Sequence, residues 1–195
     1  SSKRRYPLPT KEIPSHIQLA FLSAEDKRFY SHRGIDSLAI VRAAFANISN
    51  SSIVQGGSTI TQQLARLLFL DNERTISRKI REAILAVALE MRLTKQQILR
   101  LYLDNIYLGN GSYGVEAAAR SYFRKSVDEL SIAEAALIAG LARAPSFFAP
   151  NKNIKLARKR QVKVLKRMKK NKYISAKTLK TSLSERLVVY RYPQN

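Results

Sequence analysis

Apolar residues spaced three and four apart recur from Ile13 to Met168, and such spacing leaves little but helices for the chain to build with. Ile60, Leu64, Leu67 and Leu68 form one stripe, and Ile76, Ile80, Ile84, Val87 and Met91 form a second. Each is assigned to the buried face of its helix. Pro14 suits the first turn of a helix running to about Arg28, with Ile13, Ile17, Ala20, Phe21 and Ala24 inward. Asp36 is placed as the cap of a helix carrying Leu38, Ile40, Val41 and Phe45, followed by a mobile Ser/Asn/Gly-rich loop from Asn47 to Gly57. Thr94 with Gln97, and Ser131 with Glu134, are capping boxes for helices through Asn105 and over Ala133 to Ala142, the latter ended by Arg143-Ala144-Pro145. Gly109 to Ser112 is a turn, and a small-residue helix follows from Gly114 to Phe123. Asn153 to Lys170 is a basic amphipathic helix with Ala157, Val164, Leu165 and Met168 inward; Ser175 caps a short last helix, and Leu187 to Tyr190 is extended. No internal repeat and no domain boundary is visible. The expected fold class is mainly α.

Charge narrows the partners. The 195 residues carry a net +21, and between Ala135 and Ser184 there are 14 Lys and Arg with no Asp or Glu. The rest of the chain holds 21 basic and 14 acidic residues, or +7. A field of that sign draws polyanions, nucleic acid or an anionic membrane surface alike. An apolar fraction of 45% with 7 Gly and 6 Pro belongs to a folded chain. The absence of cysteine removes disulfides, thiolate metal sites and a cysteine nucleophile, and two histidines, His16 and His32, cannot make a histidine-rich metal site. No apolar run is long enough to cross a bilayer, and the start at Ser1-Ser2-Lys3-Arg4-Arg5 reads as an excised domain without a signal peptide.

Chemistry concentrates between Gly56 and Glu82. Opposite the apolar stripes stand Thr59, Gln62, Gln63 and Arg66 on one helix, and Arg74, Arg78, Arg81 and Glu82, with Lys79 beside them, on the next. This is a basic cluster around one acid. Arg74, Arg78 and Lys79 lie at the start of their helix, where the macrodipole disfavours cations. Glu82 follows its cations, the weaker order for a helical ion pair. A solvated charged face is one reading, and a bound anion that offsets the repulsion is the other. Gly56-Gly57-Ser58-Thr59 lacks the lysine of a Walker loop and leaves only a donor-rich helix start. Outside this stretch, Glu25 is placed at a helix C-terminus near Phe21, Leu22 and Phe29. Both the dipole and the apolar neighbours favour a raised carboxyl pKa, as a general acid or base requires. A frayed surface carboxylate is the alternative. Asp26 reads as a structural partner of nearby cations, and His32 as a packing residue equally well as a catalytic one.

Four motifs then stand in order: Glu25-Asp26-x-x-Phe29-x-x-His32-x-Gly34, Gly57-Ser58-Thr59-Ile60-Thr61-Gln62-Gln63, Arg78-Lys79-x-x-Glu82 and Lys95-x-x-Ile98-Leu99-x-x-Tyr102-x-x-Asn105. Together they closely resemble the glycosyltransferase domain of class A penicillin-binding proteins and the monofunctional peptidoglycan glycosyltransferases. The segment with Glu116, Ala118 and Ala119 resembles that family's fifth block. The resemblance implies a lysozyme-like helical fold over residues 1–195, with a large lobe and a small membrane-facing jaw near residues 36–73. It implies polymerisation of lipid II into β-1,4-linked glycan with inversion and release of undecaprenyl pyrophosphate. By position, Glu25 is then the base on the acceptor hydroxyl. Glu82 assists the pyrophosphate directly or through a divalent cation, Mg²⁺ or Mn²⁺. Ser58, Thr59, Gln62, Gln63, Arg66, Arg74, Arg78, Lys79 and Asn105 fall at substrate-binding positions, with Arg66 where lysine is common; Tyr102 and Asn105 are mainly structural. The implied partners are lipid II, the growing lipid-linked strand, an anionic membrane surface and moenomycin-type inhibitors, with no organic cofactor and no nucleic acid. The implied location is the outer, periplasmic face of the bacterial cytoplasmic membrane, the anchor being absent from this chain.

Two rivals stay open on the residues alone. A lysozyme-like hydrolase would use one acid on the same scaffold, although a neutral leaving group needs no cationic clamp. A nonspecific nucleic-acid binder would use the helix from Asn153 onward, which is basic but poor in aromatics.

Overall fold

A computed structural model describes residues 4–6, 13–41, 57–70 and 75–190, and these residues are mostly helical. Contacts divide the chain into two compact units where the sequence marks no boundary. One comprises Ser1–Lys27 with Leu103–Asn195, and the other Arg28–Tyr102.

The first unit is built around α7 (Ile132–Leu141), a run of small and aliphatic residues buried from Ala133 to Leu141. It is too apolar all round to lie on a surface, so it is covered by α1 (Ser15–Glu25) and α9 (Ile154–Lys170). The Ser131–Glu134 capping box opens α7, and Asn153 and Ser175 cap α9 and α10 (Ala176–Ser184). In α1, Ile17, Ala20, Phe21 and Ala24 are buried as their spacing requires. Pro14 is the cap residue, and the helix stops at Glu25 rather than near Arg28. Asp26 still donates its N–H to the Leu22 carbonyl, but its φ of −154° leaves the helical region. Inward residues of α9 include Ala157, Val164, Leu165 and Met168, together with Arg160 and Gln161. Two-residue strands β1 (Arg4–Arg5) and β2 (Ser112–Tyr113) pair in parallel. Next comes α6 (Val115–Phe123), whose Glu116 is buried and spoken for: Arg120 Nε donates at 2.6 Å and the Val127 amide at 2.8 Å. Gly114, at φ +86°, brings the chain against the end of α5 (Lys95–Asn105), where a Cβ would meet the Asp104 carbonyl oxygen at 2.5 Å. A short helix, α8 (Pro145–Phe148), precedes α9, and residues 185–190 are extended, with the Tyr190 amide donating to the Tyr122 carbonyl at 2.9 Å.

The second unit holds the 3₁₀ turn Phe29–Ser31, α2 (described over residues 37–41), α3 (Ile60–Phe69), α4 (Ile76–Arg92) and most of α5. Asp36 caps α2, accepting from the Ala39 amide at 2.9 Å, and lies 3.5 Å from Arg28 Nε. Phe45, most of the Asn47–Gly57 loop and Arg74 lie outside the described residues. Thr59 and Gln62 close a full capping box on α3, and Thr75 caps α4. One hydrogen-bonded chain ties the elements together. Glu90 Oε1 accepts from Thr61 Oγ1 at 2.6 Å and from Lys95 Nζ at 2.7 Å, and that ammonium sits 4.4 Å from the centre of the Phe29 ring.

Two assignments made from periodicity are corrected here. On α3, Ile60 and Leu64 are buried but Leu67 and Leu68 are exposed, while Thr59, Thr61 and Gln62 are buried. On α4 the orientation is reversed: Ile76, Ile80, Ile84, Val87 and Met91 all face outward, Ile76 at 83% exposure, and Glu82 and Ala86 are buried. The physical reason lies in what α4 meets. Gly34 is packed so closely on the Ala86 backbone that a Cβ would approach it to 2.9 Å, and Glu82 turns inward because cations satisfy it.

Candidate active site

The α3 and α4 N-termini bring four of the expected residues together. Glu82 is 1% exposed. Lys79 Nζ donates to its Oε2 at 2.6 Å and also to Ser58 Oγ at 2.7 Å. Arg78 Nε stands 3.3 Å from Oε1, yet without hydrogen-bond geometry, so two buried polar atoms face one another incompletely satisfied. A buried ion pair is held by its geometry, and removing one partner costs about 3–5 kcal/mol. The arrangement is one buried carboxylate that organises two cations, with a hydroxyl in reach of one of them. It suits an oxyanion, which would give Arg78 and Lys79 the acceptors they lack.

The remaining expected residues divide. Thr59 and Gln62 are committed to capping: Gln62 Oε1 accepts from the Thr59 amide at 3.0 Å, and Thr59 Oγ1 donates to the Gly34 carbonyl at 2.6 Å. Gln63 Oε1 accepts from the Tyr102 hydroxyl at 3.0 Å. Their contribution is to hold the start of α3 still. Arg66 lies in the last turn of α3, half-buried, one turn beyond Gln62. Arg81 turns to Ser77 at 3.2 Å instead of to Glu82. Arg74 is outside the described residues. Asn105 ends α5 in the first unit.

Glu25 also belongs to the first unit, as the half-buried last residue of α1. Its surroundings differ from the apolar, dipole-opposed setting expected. Arg167 Nη1 donates to the Ala24 carbonyl at 2.8 Å, placing a cation on the negative end of the helix. Burial drives the Arg160 guanidinium below its ordinary value, and the charge of Glu25 opposes that shift. Neither arginine figures among the residues expected to serve the site. The available signal was positional: Arg160 occupies an inward position of α9, between Ala157 and Val164, where a charge is unusual.

A divalent cation at Glu82 would have to compete with two cations already facing that carboxylate. Such an ion takes oxygen ligands, commonly one or two carboxylates with phosphate oxygens. Glu82 already faces Arg78 and Lys79, and would have to give up both to become a ligand. Among the described residues no group of three or more His, Cys, Asp or Glu side chains gathers.

The family model described as Transglycosylase matches residues 1–169. The chain is 50% identical over 186 residues to penicillin-binding protein 1A of Haemophilus influenzae, covering 95% of this chain and 22% of that protein. It is 49% identical over 187 residues to penicillin-binding protein 1A of Aquifex aeolicus, covering 96% and 26%. The chain thus spans about a quarter or less of these relatives. The crystal structure of penicillin-binding protein 1A from Haemophilus influenzae superposes with a TM-score of 0.57, covering 97% of this chain and 19% of that one, at 27% identity.

Proposed function

The chain belongs to the transglycosylase family, and from that premise we propose that it is a peptidoglycan glycosyltransferase that polymerises lipid II. The observation that carries the reading is the buried Glu82 flanked by Arg78 and Lys79, with Ser58 on the lysine. In the proposed reaction the acceptor sugar 4-hydroxyl attacks the anomeric carbon of the donor. The new O–C bond forms as the bond from that carbon to the diphosphate oxygen breaks, with inversion. Glu25 takes the hydroxyl proton. Undecaprenyl pyrophosphate leaves with the electron pair, and Arg78 and Lys79 stabilise the charge that builds on it. Glu82 keeps both cations in place, which is the direct form of the assistance expected of it. Moenomycin-type inhibitors are proposed to occupy the same diphosphate site.

The surface supports a membrane-side location, and the outer face of the cytoplasmic membrane is proposed from the family resemblance. Leu38, Ile40 and Val41 of α2, Leu67, Leu68 and Phe69 of α3, and the α4 stripe are exposed apolar groups on a strongly basic chain. Apolar side chains entering lipid while cations meet anionic headgroups is the ordinary physics of interfacial binding. Among the described residues no helix is long and apolar enough to cross a membrane.

The test offers lipid II and isolated cell wall separately. Consumption of lipid II with growth of glycan supports the transferase, and cleavage of cell wall alone supports a hydrolase. Glu25→Gln is expected to abolish polymerisation while leaving the circular dichroism spectrum and Tm near the parent values. Substantial turnover by that variant would remove Glu25 from the role of base.

A further inference from the structure

The inner face of α4 carries two acids. Glu82, Ala86 and Glu90 stand four apart and so share one face of the helix. Both carboxylates on it are buried, the Glu90 side chain at 7% exposure. Three residues at the start of α3 are tied to that face in order. Ser58 reaches it through Lys79, which bridges to Glu82. Thr59 reaches it through the Gly34 carbonyl, Gly34 being packed on the Ala86 backbone. Thr61, fully buried, reaches it directly, its Oγ1 donating to Glu90 Oε1 at 2.6 Å.

These ties differ in stiffness. Lys79 is a long side chain, 46% exposed, that can turn its ammonium toward a ligand. The Gly34 tie ends in a packing contact. The Thr61 hydroxyl sits on a β-branched side chain with few rotamers, is shielded from water, and meets a carboxylate in a charge-assisted hydrogen bond. Glu90 is itself fixed, because the same oxygen accepts from Lys95 Nζ at 2.7 Å and that ammonium lies over the Phe29 ring. A buried carboxylate is costly unless paired, and an apolar side chain could close the α3–α4 contact without it. A buried acid with its partners in place instead selects one register of the two helices.

We propose that Glu90 is a positioning residue for the diphosphate site, acting through Thr61 to hold the start of α3 so that Ser58 stays on Lys79. The proposal rests on the reading of Ser58, Arg78 and Lys79 as the groups that meet the leaving diphosphate. A misplacement of about 1 Å in a group aimed at the reacting atoms can cost roughly 10²-fold in rate. A group that acts on the departing charge is felt in kcat more than in KM.

The test measures polymerisation of lipid II by variants along this tie. Thr61→Val keeps the shape and removes the hydroxyl; it is expected to lose about 10-fold in kcat with KM within about threefold. Thr61→Ser, which keeps the hydroxyl, should recover most of that loss. Glu90→Gln keeps the shape without the charge and should show the same split between kcat and KM. The decisive arm repeats Thr61→Val in a Ser58→Ala background. There it should cost less than about twofold in kcat, because the group it positions is gone, while its effect on Tm stays as in the parent. A parent-like kcat in Thr61→Val or Glu90→Gln, a rise in KM in its place, or a loss undiminished in Ser58→Ala would overturn the proposal. If Ser58→Ala and Lys79→Met both polymerise lipid II like the parent, the diphosphate reading itself fails. If both are impaired and Thr61→Val is not, only the role of Glu90 fails.

Discussion

Lys79 donates to Glu82 at 2.6 Å while reaching Ser58 at 2.7 Å, so one ammonium links the start of α3 to a carboxylate on α4. The contact holds the cation in place before any ligand arrives. A preorganised donor stabilises developing charge without first having to reorient.

Lys79→Met is therefore expected to lower kcat/KM for lipid II by roughly 10²–10³-fold. Glu82→Gln should be severely impaired as well, because Arg78 and Lys79 lose the charge that gathers them. Titration with Mg²⁺ checks the argument about the metal: activity of Glu82→Gln should stay flat. Recovery at high Mg²⁺ would return the ion to the mechanism.

Gly34 sets how closely the first motif approaches α4. At φ +88° it occupies a region that side chains resist, and a Cβ would lie 2.9 Å from the carbonyl carbon and oxygen of Ala86, which are backbone and cannot swing aside. Gly34→Ala should cost about 2 kcal/mol or more and lower Tm by roughly 4–8 °C. Thermal unfolding followed by circular dichroism measures it.

The outward stripe of α4 is proposed to face lipid. Ile80→Ser with Ile84→Ser should weaken sedimentation with vesicles containing anionic phospholipid. Both positions are exposed, so stability should change by no more than about 0.5 kcal/mol per site. Unchanged vesicle binding would direct the stripe to some other contact.

Tyr122 supplies a pH test of the first unit. Its hydroxyl donates to the Leu108 carbonyl at 2.9 Å, and burial, with a smaller push from Tyr107, drives the phenol well above its ordinary value. An unfolded phenol ionises near pH ~10, and the folded one keeps its proton beyond that. Stability from this group is complete below pH ~10 and declines as pH rises toward the folded value. Tyr122→Phe should flatten the alkaline decline in Tm. It should also cost about 1–3 kcal/mol at neutral pH, since the Leu108 carbonyl loses its donor.

Local signals carried well from sequence to structure. The Ser131–Glu134 and Thr94–Gln97 boxes and the Asp36 and Ser175 caps depend on residues three apart, and all form. Periodicity found the α4 stripe but assigned it the wrong side. Spacing identifies an apolar face without saying whether protein or another apolar medium covers it. The cluster of Arg78, Lys79 and Glu82 was legible for the same local reason, being one helical turn. The setting of Glu25 was not. It depends on Arg167, 143 residues from the Ala24 carbonyl it meets, and helix packing alone brings it there.

That separation has a consequence for synthesis. The Arg167–Ala24 and Asn171–Ser23 contacts join residues 143 and 148 apart, whereas the second unit is one continuous stretch, Arg28–Tyr102. A chain made from its N-terminus can complete that stretch while α1 still waits for α7 and α9 to emerge. Long-range closures of this kind are slow. Through that interval Phe21 and Leu22, buried in the finished fold, have no core to enter. The end of the helix that bears Glu25 is then among the last parts of the molecule to acquire its final environment.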